Sequence, residues 1–336
     1  MSDLYLGIDT SNYKTSVAVT DGTGRIVFER SEYLEVPAGS RGLRQSEAFF
    51  RHSCRLPEYI REVCSEVSAG DIRSAGVSSR PRRVEGSYMP CFLAGVNAAE
   101  EITSVLGIPL HHFSHQEGHA AAVLEYGRSP ADITASDKHV VLMHLSGGTT
   151  ESLICAPDAH GYDLSICGGT RDISIGQLID RAGVAMGYHF PSGMYLDELA
   201  EQYTEAEHNT LKPGIPAVRI TDGCFNLSGT ETQILRWIEK SSEDEYPYIA
   251  YSLFDRTAQL LAAAAVQASD AADTDTVYMA GGVSSSSFIR KSTEKKLDMI
   301  TKGGRSRPII IYGEPALSGD NAVGTALLAC RVHTQK

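Results

Sequence analysis

One pattern occurs twice in this chain. Leu4 to Asp9 is an apolar run that ends in an acid. A polar turn follows, Thr10-Ser11-Asn12-Tyr13-Lys14-Thr15. Ser16 to Val19 then resumes as a strand, and Asp21-Gly22-Thr23-Gly24 closes it before Arg25 to Phe28. The pattern returns far downstream, with strand Val140 to Leu145, turn Ser146-Gly147-Gly148-Thr149-Thr150, return strand Glu151 to Cys155 and turn Asp158-Ala159-His160-Gly161. The separation is far greater than a solenoid period. Two halves that open alike predict a duplicated fold with a cleft between its lobes. Between the repeats, helices are expected over Glu47 to Val67 and Gly95 to Leu106, and strands near Ser74 to Val77 and Pro109 to Phe113. This alternation specifies class α/β. At 336 residues the chain is too long for one ordinary core, so the halves read as two domains with a boundary between about Leu124 and Lys138.

Composition narrows the class. Apolar residues make up 42% and charged residues 21%, which is the balance of a folded globular protein. The net charge of −12 repels nucleic acid except where basic residues cluster. Two such clusters exist, Arg80-Pro81-Arg82-Arg83, and Arg290-Lys291 with Lys295-Lys296, Lys302, Arg305 and Arg307; most runs of this kind are solvated surface. Seven widely spaced cysteines without a Cys-x-x-Cys pair fit a reducing cytosol, and each reads as a small core residue. No basic stretch followed by an apolar run opens the chain, and Leu260 to Val266 is far too short to span a bilayer, so a cytoplasmic protein without a membrane partner is expected.

Short Gly/Ser/Thr turns aim backbone N–H groups and hydroxyls at anions, and glycine lets the backbone come close. Ser146 to Thr150 fits that description. So does Gly281-Gly282-Val283-Ser284-Ser285-Ser286-Ser287, which follows the strand Thr276 to Ala280 and precedes a helix. Neither is a P-loop, because no Gly-Lys-Ser/Thr follows. Each alone is an ordinary tight turn; with the first turn, Thr10 to Thr15, they make three, two of them at matching points of the repeat, and together they point to a nucleotide.

His115-Gln116-Glu117-Gly118-His119 places two imidazoles about one helical turn apart on one face, as a metal requires. In the zinc-peptidase motif the glutamate directly follows the first histidine. Here it is Glu117, about 200° around the helix from His115, so it cannot serve a water on the same ion. Ser114 and Glu117 read instead as a capping box. A third ligand is available in Asp320, within Ser318-Gly319-Asp320-Asn321-Ala322, although an acid there also reads as a helix cap.

Taken in order, these motifs resemble the tRNA threonylcarbamoyladenosine transferase family, long described as O-sialoglycoprotein endopeptidases. The resemblance covers nearly the whole chain: Gly7-Ile8-Asp9-Thr10-Ser11, the histidine helix with Pro109 upstream, Ser146-Gly147-Gly148, Gly176 to Asp180, Pro191-Ser192-Gly193, Phe225-Asn226-Leu227-Ser228-Gly229, Gly281-Gly282-Val283 and Asp320-Asn321-Ala322. It implies a two-lobed actin-like, sugar-kinase-like fold of duplicated ribonuclease-H-like domains. Residues 1–130, joined by about 315–334, would form one lobe, and 131–314 the other.

The resemblance further implies one divalent ion, iron or zinc, held by His115, His119 and Asp320. It implies an adenine nucleotide, a carbamoyl-adenylate or ATP, contacted by His144, Leu145, Ser146, Gly147, Gly148 and Thr149. Asp180 would hold ribose hydroxyls, with Gly193 and Asp197 lining the nucleoside pocket. Asp9, Thr10, Ser11, Lys14, Gly281, Gly282 and Ser286 complete the nucleotide contacts; Lys14, which departs from the family, would hold the phosphates in place of a contact made differently there. The group transferred is threonylcarbamoyl and the acceptor the exocyclic amine of the adenine beside the tRNA anticodon, with tRNA and the partner proteins of the threonylcarbamoylation complex as partners.

The chain is similar to this family as a diverged paralogue. Ser11-Asn12-Tyr13-Lys14-Thr15 stands where the family has Ser-Cys-Asp-Glu-Thr. Thr149 replaces a histidine, Ser286 an asparagine and Glu231 a lysine. Two other functions stay open: a nucleotide-binding scaffold, and an enzyme that carbamoylates or phosphorylates a small molecule. A kinase would need an acid at the acceptor hydroxyl, with Asp9 and Asp180 as candidates. Peptidase chemistry is disfavoured.

Overall fold

The computed structural model of the chain describes residues 3–11, 14–35, 43–127, 139–203, 214–304, 306–317 and 319–335. Asn12 and Tyr13 of the first turn, residues 128–138 of the expected boundary, Arg305 and Ser318 lie outside the described residues. Two compact units share the chain. The first is Met1–Lys138, Cys155–Leu164 and Asp320–Lys336; the second is His139–Ile154 and Ser165–Gly319.

In the first unit, short polar turns force β1 (Leu4–Asp9), β2 (Lys14–Asp21) and β3 (Ile26–Tyr33) into antiparallel pairs, with Ile8 opposite Val17 and Val17 opposite Arg30. Helix α1 (Gln45–Glu66) leads to β4 (Ile72–Arg80), and α2 (Phe92–Leu106) leads to β5 (Leu110–Ser114); both crossovers give parallel pairing. The order is β3-β2-β1-β4-β5. Every residue of β1 is buried, because helices cover both faces of the sheet. Leu6 and Ile8 join Leu56 and Tyr59 of α1 and Ala94 of α2 in one core. Gly7 faces the other way, against the final helix α9 (Val323–Thr334). Helix α3 (His115–Leu124) packs on α9 as well. Arg331 of α9 is fully buried. Its Nε lies 3.1 Å from Glu125 Oε1, its Nη2 donates to the Gly161 carbonyl at 2.5 Å, and its guanidinium sits 4.6 Å from the Tyr162 ring centroid. These partners offset the desolvation of a buried charge.

The second unit repeats the plan. Strands β6 (Val140–Leu145), β7 (Thr150–Asp158), β8 (Gly161–Thr170), β9 (Cys224–Phe225), β10 (Thr276–Ala280) and β11 (Ile309–Tyr312) run in the order β11-β10-β6-β7-β8-β9. Counted from β6, and with β9 set aside as an addition, this is the order of the first sheet. The tip of the β7–β8 hairpin belongs to the first unit. Helices α4 (Ile175–Ala185), α5 (Gly193–Gln202), α6 (Ser228–Lys240), α7 (Tyr246–Ala272) and α8 (Ser287–Ile300) accompany the sheet. Ile249, Leu253 and Leu261 of α7 share a core with Met143 of β6 and Met279 of β10.

One sequence expectation needs correction. Cys54 and Cys64 are exposed on α1, so not every cysteine is a core residue; all seven are free thiols. The second basic run lies at the surface, as expected, and three of its members meet acids there: Lys291 to Glu201 at 3.0 Å, Lys296 to Asp255 at 2.8 Å, and Arg307 to Asp298 at 2.8 Å. No helix among the described residues is long and apolar enough to cross a membrane.

Candidate metal centre

Helix α3 starts where its capping box dictates. Ser114 Oγ accepts the Glu117 N–H at 3.2 Å, and Glu117 Oε2 accepts the Ser114 N–H at 2.8 Å. Glu117 is therefore a cap, turned away from the histidine face. On that face His115 and His119 bring their Nε2 atoms to 2.9 Å, with the ring planes crossed at 73°. Asp320 arrives from the segment before α9. It is not the cap, since Asn321 Oδ1 accepts the Val323 N–H at 3.0 Å. Asp320 Oδ1 lies 3.5 Å from His115 Nε2 and 3.2 Å from His119 Nε2.

These spacings fit a shared ion. Donors held at about 2.1 Å in tetrahedral geometry lie about 3.4 Å from one another. Two imidazole nitrogens and one carboxylate oxygen form a set that takes zinc or ferrous iron, and the three side chains group as such a set. Asp9 supports it from behind. Its Oδ2 is 2.8 Å from His115 Nδ1, while its Oδ1 accepts the Ser11 N–H at 2.9 Å. With the proton on Nδ1, the His115 Nε2 lone pair points toward His119 and Asp320.

Charge balance follows the same geometry. Burial disfavours a charged His115, but Asp9 first and then Asp320 outweigh it and push the imidazole up to about 10. Burial would raise both carboxyls; the His115 charge and hydrogen bonds hold Asp9 below the usual carboxylate range and, with His119, hold Asp320 well below it. In the metal-free chain a proton on His115 thus stands in for the cation.

Other expected contacts in this unit are occupied differently. Thr10 Oγ1 donates to the Cys91 carbonyl at 3.1 Å and accepts the Gly95 N–H at 3.1 Å, tying β1 to the start of α2. Ser11 is buried. Lys14 pairs across the ladder with Tyr33, and its Nζ sits 5.3 Å from that ring centroid. Sequence reading missed Tyr33. Only its register opposite Lys14 could have signalled it.

In the second unit His144 and Leu145 end β6 and are buried. The following turn is closed by Ser146 N–H to the Thr149 carbonyl at 2.8 Å and Thr149 N–H to Ser146 Oγ at 3.0 Å. Gly147 and Gly148 face open space, and Ser174 Oγ at the start of α4 donates to the Gly147 carbonyl at 2.7 Å. Gly281 has φ of 103° and packs on the Leu145 backbone, while Gly282 is open. Asp180 on α4 accepts the Ser192 N–H at 2.8 Å, just before Gly193 opens α5. Burial raises its carboxyl. Asp197 accepts from Ser286 Oγ and from the Ser287 and Phe288 N–H groups, so its carboxylate holds the start of α8.

A family model for tRNA N6-adenosine threonylcarbamoyltransferase matches residues 34–307. The chain belongs to this family. His115 and His119 lie inside the matched segment, Asp9 and Asp320 outside it. Among similar proteins, the tRNA N6-adenosine threonylcarbamoyltransferase of Thermosipho africanus is 26% identical over 296 residues, covering 87% of this chain and 84% of that one. That of Granulibacter bethesdensis is 28% identical over 338 residues, covering 96% and 86%. Component A of the (R)-2-hydroxyglutaryl-CoA dehydratase of Acidaminococcus fermentans aligns with TM-score 0.54 at 15% identity over 99% of this chain and 100% of that one. A ROK-family glucokinase from Streptomyces griseus, solved with glucose and AMPPNP, aligns with TM-score 0.51 at 14% identity over 97% and 99%. The fold is thus the actin-like, sugar-kinase-like one.

Two of the departures expected from the resemblance have partners within the chain. Glu231, in place of lysine, meets Arg181 at 2.7 Å. Ser286, in place of asparagine, caps α8 by accepting the Ile289 N–H at 3.0 Å.

Proposed function

We propose that this chain is a metal-dependent transferase that moves a threonylcarbamoyl group from an adenylate to N6 of the adenine beside the tRNA anticodon, in the cytoplasm. The observation that carries this is the convergence of His115, His119 and Asp320 on one point with Asp9 behind them. The three would hold iron or zinc, which when bound supplies a Lewis acid for the adenylate phosphate. Asp9 keeps His115 in the tautomer that can ligate. The open glycines of the Ser146–Thr149 turn leave room for substrate oxygens, and the Asp180 carboxylate would accept from ribose hydroxyls. Asp197 acts by placing Ser286. The test is transfer from threonylcarbamoyl-adenylate to unmodified tRNA by the purified chain, alone and with the partner proteins of the complex. Chelator-sensitive transfer is expected. Modification of a small acceptor but never of tRNA, or tight nucleotide binding without turnover, overturns it.

The Asp9 contact has a pH signature. Below about 10, the folded pKa of His115, binding an ion must expel that proton. Metal affinity of the wild type therefore rises about tenfold per pH unit from 7 toward 9. Asp9→Asn removes the foremost group raising that pKa, so the slope flattens. Competition titrations with a chelator across that range measure it; an unchanged slope contradicts the assignment.

A further inference from the structure

A second polar cavity lies wholly within the first unit, toward the side of α3 opposite the histidine pair, with a volume of about 300 Å³. Arg80 at the end of β4, His111 and His112 of the edge strand β5, Glu117, and His160 at the hairpin tip line it. One cation at its wall lacks an ion-pair partner among the described residues. Arg83, also at its wall, is matched by Asp158 at 2.6 Å and by Glu117 Oε1 at 3.7 Å. Glu117 is spent on Ser114 and on the Tyr162 N–H, at 3.4 Å. His112 faces Glu100 at 3.5 Å. Arg80 has no such partner among the described residues, and its Nε is shielded from solvent without a hydrogen bond. A donor shielded from water and left without a partner is costly. Its planar fork of donors matches an oxyanion, and imidazoles add an N–H each whether charged or neutral.

We propose that this cavity binds a phosphate group, with Arg80 as its fork and the histidines around it as further donors. The ligand chemistry is a phosphate ester, drawn either from a small phosphomonoester or from the backbone of an RNA strand. The assignment stands apart from the metal centre and does not need the transferase reading.

The test is thermal unfolding and calorimetric titration of the full chain at constant ionic strength, with inorganic phosphate as probe and chloride as control. Phosphate is expected to raise the wild-type melting midpoint, chloride not. Arg80→Gln keeps the fold, since Arg80 makes no internal ion pair, and weakens phosphate binding about tenfold or more. Arg80→Lys, with charge but no fork, falls between. His160→Gln, at the hairpin tip, weakens it independently. Methyl phosphate and a uridine oligonucleotide without terminal phosphates then separate the sources. Arg80-dependent competition by the oligonucleotide supports an RNA backbone, and competition by methyl phosphate alone supports a small ester. A midpoint indifferent to phosphate, or binding equal in wild type, Arg80→Gln and His160→Gln, overturns the proposal.

Discussion

Replacing His119 by alanine is expected to strip the chain of its metal and to lower threonylcarbamoyl transfer about a thousandfold. A bound ion acting as Lewis acid is worth several kcal/mol, and about 4 kcal/mol corresponds to that factor. His119 is the cleaner of the two histidines to remove. Its Nε2 contributes a donor 3.2 Å from Asp320 without holding Asp9. Without it, His115 stays clamped between Asp9 and Asp320 as an imidazolium, so the buried carboxylates remain neutralised and the fold survives. His115→Ala would instead leave Asp9, 1% exposed, as an uncompensated buried charge, which costs about 3–5 kcal/mol and confuses loss of function with loss of fold. Elemental analysis of purified His119→Ala, beside its transfer rate and melting midpoint, decides the matter. Wild-type transfer by a metal-free variant would remove the ion from the mechanism.

The contrast between His115 and His119 shows what sequence could and could not convey. The repeated strand–turn–strand was legible because each unit is local: an apolar run, a turn, a return strand. The recurring sheet order followed from short turns and helical crossovers. Glu117 was legible as a cap because a capping box spans four residues. Asp9 on His115 was not, since the partners are 106 residues apart and only the parallel register of β1, β4 and β5 brings them together. For the same reason the contact of the Asp197 carboxylate with the start of α8, 90 residues on, was not legible either. Element ends also moved: α2 begins at Phe92, not Gly95, because Phe92 and Ala94 are buried. Local patterns announce elements; which side chain meets which depends on packing that no single segment encodes.

That packing yields the second large effect. Gly324 lies in the first turn of α9, against the backbone of α3. A Cβ there would land on the Gly118 carbonyl oxygen and within 2.7 Å of the Ala122 nitrogen. Both are backbone atoms, so no side-chain rotation relieves the overlap, and the helices must part. Gly324→Ala is therefore expected to destabilise the chain by about 3 kcal/mol, the upper part of the range for overpacking, even though alanine's helix propensity offsets about 1 kcal/mol. The same shift carries Asp320, four residues upstream, away from the histidines, so metal affinity falls with stability. Gly118→Ala is the informative comparison. Its Cβ would meet Thr325 Oγ1 at 3.1 Å, a side chain now 3.3 Å from Ser78 Oγ that can turn aside. It should cost about 1 kcal/mol or less and leave the metal bound. Urea unfolding with and without added metal separates the two. If Gly324→Ala keeps wild-type stability and full metal content, the close contact of α9 with α3 is not what positions Asp320.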